Sequence, residues 1–366
     1  MNISTRLKMI RESFGFTLQE VENRTQIGMS SLSEFENEKR EPSLSHLKKL
    51  AILYDKPITF FLEKAPIAPP KLLWRKKPDE PKCSKIESKF FRLCKQYKNL
   101  EIWTKTPKTN NFEKLFITSF PEKYSEIGRL AHCIGKQMDL GSHPGESLFR
   151  VLEEIYEVKI FHLPLGDDAS SACFYTEELG PAIMLNSDNK QWRRNFDLAH
   201  ELFHLITWKA RPENVSNPCL EDKEEKFANY FASTILMPEE AVRDSIESIL
   251  PNNKMLNYDH LDSIARQFGV SLEALSWRLH YIYNIPQDEI KQIIEKAKSY
   301  SSLPLRQNDS PPDLPSRYKA LAVTALKYGE ISSQQFANYL GINISETYSY
   351  QISGTYDAIQ INTGSI

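Results

Sequence analysis

No stretch of this sequence approaches the run of about 20 apolar residues that crosses a bilayer. The opening segment MNISTRLKMIRESFGF is polar with a helical pattern and carries no leader-like apolar core. Both absences predict a protein that stays in the cytoplasm and has no membrane partner. Cysteine is scarce: the five residues at 83, 94, 133, 173 and 219 are odd in number and include no CxxC pair. That excludes a disulfide framework and a cysteine zinc ribbon, and predicts reduced thiols. An excess of one charge is also lacking, since a formal net charge of -2 excludes a uniformly basic nucleic-acid binder. Charge can still be segregated by domain. What remains is 366 residues, 40% hydrophobic and 26% charged, a balance that predicts two or three folded domains.

From Ile3 to Phe14, the residues Ile3, Leu7, Ile10 and Phe14 recur at helical spacing, and Gly15 supplies a stop. Thr17 and Glu20 stand at the reciprocal positions of a capping box and open a short second helix. Gly28 offers a turn before a third helix, Met29 to Asn37, with Leu32 and Phe35 facing inward and Ser30, Ser31 and Glu34 outward.

The stretch SSLSEFENEKREPSLSHLKKLAILY resembles the XRE, or Cro/repressor-like, family of helix-turn-helix domains, over about residues 3 to 62. The resemblance implies a double-stranded DNA operator as partner. The third helix would enter the major groove with Met29, Ser30 and Glu34 toward base edges, and Lys39 and Arg40 beside them as further contacts. Glu38 departs from the family by standing where glycine is usual. Residues 1 to 62 hold nine Lys and Arg against eight Asp and Glu. Phosphate neutralisation supplies most non-specific affinity, so so neutral a domain predicts a homodimer or another partner on DNA.

Residues 65 to 82, APIAPPKLLWRKKPDEPK, contain five prolines and no helical period, and read as an extended linker with Arg75-Lys76-Lys77 as a solvated charge run. Beyond it, Cys83 to Trp103, Glu122 to Leu140 and Gly145 to Tyr156 read as helices. Residues 158–163, 171–175 and 181–186 read as short strands of a small, mostly antiparallel sheet.

The sequence HELFH at His200 to His204 falls inside an apolar-periodic run, Phe196 to Ile206, that must be helical. Four helical residues advance about 6 Å and slightly over one turn, so His200 and His204 project from one face and can grip one ion. Glu201 is then placed as a general base rather than a ligand, the zincin arrangement. Zinc needs a third protein ligand, and the acids downstream are Glu213, Glu221, Asp222, Glu224 and Glu225.

The run EKFANYFA from Glu225, followed by Ile235-Leu236-Met237-Pro238, resembles the ImmA/IrrE family of metallopeptidases, and the resemblance extends over roughly residues 85 to 285. It implies Glu225 as the third zinc ligand, with Glu221 and Glu224 as weaker alternatives. Phe227 departs from the family, where an acid is frequent. The implied activity is zinc-dependent hydrolysis of peptide bonds in a protein substrate, a helix-turn-helix repressor. The alternative is a non-proteolytic transcriptional regulator or antitoxin-like component with a structural metal site. Tyr175, Tyr230, His260, Arg278 and His280 are open candidates to stabilise an oxyanion. Cys173, on a strand expected beside the cleft, is a possible regulatory zinc ligand, with Cys219 a weaker substitute.

Residues 301 to 314 read as a second linker and 315 to 366 as a small helical module, frayed from Thr355. The expected architecture is therefore a mainly α protein. Residues 1–64 form an all-α helix-turn-helix domain, 65–82 a linker, and 83–300 an α+β zincin-like peptidase domain with a small, mostly antiparallel sheet.

Overall fold

The computed structural model describes all residues except 1, 15, 55, 64–70, 80, 81, 108, 168, 212–217, 251–255, 301–309 and 353–366, and backbone alone at 13, 218–221, 297–300 and 351–352. Gly15, Glu213, much of both expected linkers and the expected frayed tail therefore lie outside the described residues, as do the side chains of Cys219 and Glu221. By contact the chain forms two units. One comprises Met1–Pro69, Ser88–Lys108 and Ser316–Ile366, the other Pro70–Glu87 and Thr109–Pro315. Among the described residues no helix is long and apolar enough to cross a membrane.

The first unit begins with helices Ile3–Phe14, Leu18–Thr25, Met29–Glu36, Leu44–Leu53 and Ile58–Leu62. The capping box forms as the sequence predicts: Thr17 Oγ1 accepts from Glu20 N at 3.2 Å, and Thr17 N donates to Glu20 Oε2 at 2.7 Å. Leu7, Ile10, Phe14, Val21, Leu32 and Phe35 are buried together with Phe16. Arg11 clamps Glu36 through two parallel bonds of 2.7 and 2.8 Å, tying the first helix to the third.

The helices Ser316–Lys327 and Ser333–Leu340 close the same unit. Gln335 Nε2 and the Tyr339 hydroxyl both donate to the Phe14 carbonyl, at 2.9 and 3.2 Å, and so satisfy the end of the first helix. Trp103, at the end of helix Lys82–Trp103, lies 5.8 Å from Phe14, 5.4 Å from Phe16 and 6.1 Å from Tyr339 between ring centroids. Arg24 donates to the carbonyl and carboxylate of Glu330.

The second unit holds a four-stranded sheet of β1 (Leu73–Trp74), β2 (Lys159–Leu163), β3 (Ser171–Thr176) and β4 (Gly180–Asn186), in the order β1-β3-β4-β2. The β1–β3 and β3–β4 pairs are antiparallel and β2–β4 is parallel, so the sheet is mostly antiparallel, as expected. β1 comes from the proline-rich stretch; a two-residue strand carries no alternation by which sequence could announce it. Helix Gln191–Ile206 packs on this sheet. Its residues Leu198, Ala199, Leu202 and Leu205 share one core with Cys173, Ile183 and Leu185. Every residue from Asp197 to Thr207 is buried, so this helix is covered on all sides, and its polar side chains must find partners inside. Helix Pro218–Leu236 covers it with Phe227, Ala228, Phe231 and Ile235.

Candidate metal centre

The i, i+4 spacing on the buried helix brings His200 and His204 together, with Nε2 atoms 3.2 Å apart. Glu225 reaches both from helix Pro218–Leu236: Oε2 lies 3.1 Å from His200 Nε2, and Oε1 lies 3.1 Å from His204 Nε2. Asn229, one turn beyond Glu225, meets the other side of His200, with Oδ1 3.1 Å from Nδ1. Glu224 meets the other side of His204, with Oε1 3.0 Å from Nδ1. This pairing order, 200 with 229 and 204 with 224, runs the two helices antiparallel.

The donor atoms of His200, His204 and Glu225 all lie within 4.8 Å of one another, the one such group of His, Cys, Asp and Glu among the described residues. Their chemistry fits a divalent transition metal: two imidazoles whose Nδ1 atoms are already engaged turn Nε2 toward a shared point, and a carboxylate completes the set. His200 and His204 are buried, whereas the Glu225 side chain is 38% exposed, so the centre opens to solvent on the Glu225 side.

These groups perturb one another strongly. Burial and then the nearby Arg75 charge lower the pKa of His200 to about 3. Burial opposes the charged form of His204 too, but hydrogen bonds to Glu224 and Glu225 outweigh it and raise its pKa to about 9. Burial of Glu225 works against ionisation, yet its bonds to the two histidines hold the carboxyl well below the ordinary carboxylate range.

Glu201 is buried beside this group. Ser171 on β3 donates to Glu201 Oε1 at 2.6 Å, while Oε2 is buried without a hydrogen-bond partner among the described residues. Burial raises the pKa of Glu201, with His204 and Ser171 working in the other direction. Cys173 lies outside the metal-competent group; its fully buried thiol sits by Glu201 instead, and burial followed by that carboxylate's charge pushes the thiol well up.

Arg75, part of a charge run that the sequence reads as solvated, is nearly buried and joins the centre from just beyond β1. Its backbone N–H donates to Ser171 O at 3.1 Å. Its guanidinium donates to Asp197 and, at 3.0 Å, to Asn229 Oδ1. Asp197, fully buried one turn before His200, also accepts from Ser170 Oγ at 2.8 Å and Asn189 Nδ2 at 3.3 Å, and pairs with Arg193 at 3.2 Å. No pattern in the sequence pointed to Arg75, since a short strand outside the main sheet run positions it.

The open oxyanion candidates and the residues expected to face DNA have partners or exposure of their own. Arg278 is buried on Met237 O and Thr234 Oγ1, at 3.0 and 3.1 Å, and His260 caps helix Tyr258–Gln267 at Asn257, so both are spent on structure. His280 bonds Ile285 O, and the Tyr175 ring packs 4.9 Å from Phe116. Tyr230 lies against Tyr124 and Tyr281. In the first unit, Met29 and Ser30 are exposed at the start of helix Met29–Glu36, and Lys39 and Arg40 are exposed after its end. The Glu34 side chain is 44% exposed, with Arg40 3.9 Å away.

Residues 153–280 match the peptidase M78 family, described as an IrrE N-terminal-like domain, and residues 7–61 match the helix-turn-helix family. None of the curated proteins matches the chain. Among solved structures, a Mycobacterium tuberculosis transcriptional regulator aligns at 15% identity and a TM-score of 0.33, over 50% of this chain and 52% of that one. The chain thus spans about half the length of that structure. ComR from S. thermophilus, in complex with DNA and its signalling peptide ComS, aligns at 14% identity and a TM-score of 0.19, over 96% and 97% of the two chains.

Proposed function

We propose, from a chain that joins an XRE-type helix-turn-helix domain to an IrrE/ImmA-type peptidase-family domain, that the protein is a DNA-binding regulatory zinc metalloendopeptidase of the cytoplasm. The observation that carries this reading is the convergence of His200, His204 and Glu225 on one point with Glu201 alongside. A purely structural metal site has no use for a base next to its ligands.

His200, His204 and Glu225 would hold the zinc, which would supply Lewis acidity toward a water and the scissile carbonyl. Glu201 takes the proton from that water and later delivers it to the leaving amine. Ser171 holds Glu201 Oε1, leaving Oε2 as the oxygen free to receive the proton. Burial favours the neutral form of Glu201, which helps it keep a proton between the two transfers.

The helix-turn-helix is the operator-binding part, with Met29, Ser30 and Glu34 toward bases and Lys39 and Arg40 as further contacts. Its near-neutral charge supports binding as a homodimer. The substrate class we infer is a helix-turn-helix repressor, whose cleavage relieves repression.

Replacing Glu201 by Gln tests the peptidase. The variant keeps its zinc, measured by metal analysis, and loses cleavage of co-incubated repressor proteins, read by mass spectrometry. Cleavage at the wild-type rate by Glu201→Gln would end the proposal.

A further inference from the structure

Asn229 Oδ1 faces two partners at once, the Arg75 guanidinium at 3.0 Å and His200 Nδ1 at 3.1 Å. A guanidinium carries donors and no acceptor, so the atom of Asn229 that meets Arg75 has to be the amide oxygen. The same oxygen then has to accept from His200, which puts the ring proton on Nδ1 and leaves the Nε2 lone pair for the metal. With the amide turned over, its NH2 group would face donors on Arg75 and would favour the opposite His200 tautomer. That tautomer carries its proton on Nε2 and cannot ligate there. Asn229 alone has no preference between the two orientations that depends on the metal; Arg75 supplies it.

We propose that Arg75 is a positioning residue for the metal centre: by fixing the amide orientation of Asn229 it selects the ligating tautomer of His200. The inference rests on His200 being a metal ligand. The fold holds Arg75 in place at three points: its backbone N–H on β3, one guanidinium edge on buried Asp197, and the other on Asn229. Its planar fork suits the two-sided contact in a way a lysine ammonium does not. Asp197 keeps Ser170, Asn189 and Arg193 when Arg75 is removed, so the substitution does not strand a buried charge.

Charge alone gives the opposite expectation, because removing a cation from beside a metal site strengthens metal binding. The sign of the effect therefore separates orientation from electrostatics.

The test is zinc affinity of the full chain, measured by chelator competition, on four proteins: wild type, Arg75→Met, Asn229→Asp and the double variant, each checked for folding by circular dichroism. Arg75→Met is expected to weaken zinc about 10- to 100-fold, the usual scale for a group that orients a ligand. In the Asn229→Asp background, where both side-chain atoms are oxygens and no flip exists, the same substitution is expected to change affinity by less than about threefold, a bound set by the weak dependence left once orientation is fixed. Unchanged or tighter zinc binding by Arg75→Met overturns the proposal, as does an equal loss in both backgrounds. His200→Ala is the control for the premise. Zinc retained by that variant sinks the ligand assignment and this inference with it, whereas zinc lost there but kept by Arg75→Met sinks the Arg75 role alone.

Discussion

Glu224 and Glu225 are neighbours in sequence yet face opposite nitrogens of His204: Glu224 Oε1 is 3.0 Å from Nδ1, and Glu225 Oε1 is 3.1 Å from Nε2. Glu225 thus stands on the side where the Nε2 atoms of His200 and His204 converge, and Glu224 behind the ring, where Arg211 holds its other oxygen at 3.0 Å. Their substitutions should differ in kind. Glu225→Ala is expected to lose zinc on dialysis, while Glu224→Gln keeps one zinc with affinity reduced about 10- to 100-fold. Metal analysis showing full zinc in Glu225→Ala would remove it from the ligand set.

The cysteines offer a second check. Cys83, Cys94 and Cys173 are buried and Cys133 is exposed. Burial and the Glu201 charge keep Cys173 protonated, and the thiolate is the reactive form. Iodoacetamide on the native chain, followed by peptide mapping, should modify Cys133 and spare the three buried thiols. As a regulatory ligand Cys173 would have to leave the side of Glu201 first. Cys173→Ala should therefore keep full zinc content, and raised basal cleavage in that variant is the result that would support the regulatory role.

Glu38 adopts a φ of +60°, the left-handed conformation in which the family places glycine. An L-residue with a Cβ is disfavoured there by about 1–2 kcal/mol. Its exposed bond from Asn2, 2.6 Å, offsets part of that. Glu38→Gly is expected to stabilise the first unit by about 0.5–1 kcal/mol, read as a higher denaturation midpoint. A lower midpoint would show that the side-chain contact outweighs the backbone strain.

Trp103 packs among Phe14, Phe16 and Tyr339, so the core beneath the helix-turn-helix draws on three separate parts of the chain. Trp103→Ala should destabilise this unit by about 3–5 kcal/mol and weaken DNA binding at temperatures where the metal centre is intact. Unchanged stability in urea unfolding followed by first-unit probes would mean that the helix-turn-helix core stands without it.

Much of this molecule is written in short-range pattern. The first three helices, the Thr17–Glu20 capping box, three of the four strands and the shared face of His200 and His204 all depend on residues within a few positions of one another. Periodicity and capping chemistry read such spacing directly. Even Glu38 as a glycine substitute was visible as a departure from a family pattern. The features that only the tertiary structure decided join distant positions. Arg75 and Asn229 are 154 residues apart, and Gln335 and Phe14 are 321 apart. Neither β1, too short to carry a period, nor the helices from Ser316 onward signal in sequence which surface they cover. The resemblance singled out Glu225 over Glu224, but the different directions of the two side chains come from the packing, because adjacent residues on a helix differ by about 100° in direction. Which of those directions meets Nε2 of His204 is set by how the second helix packs across the first.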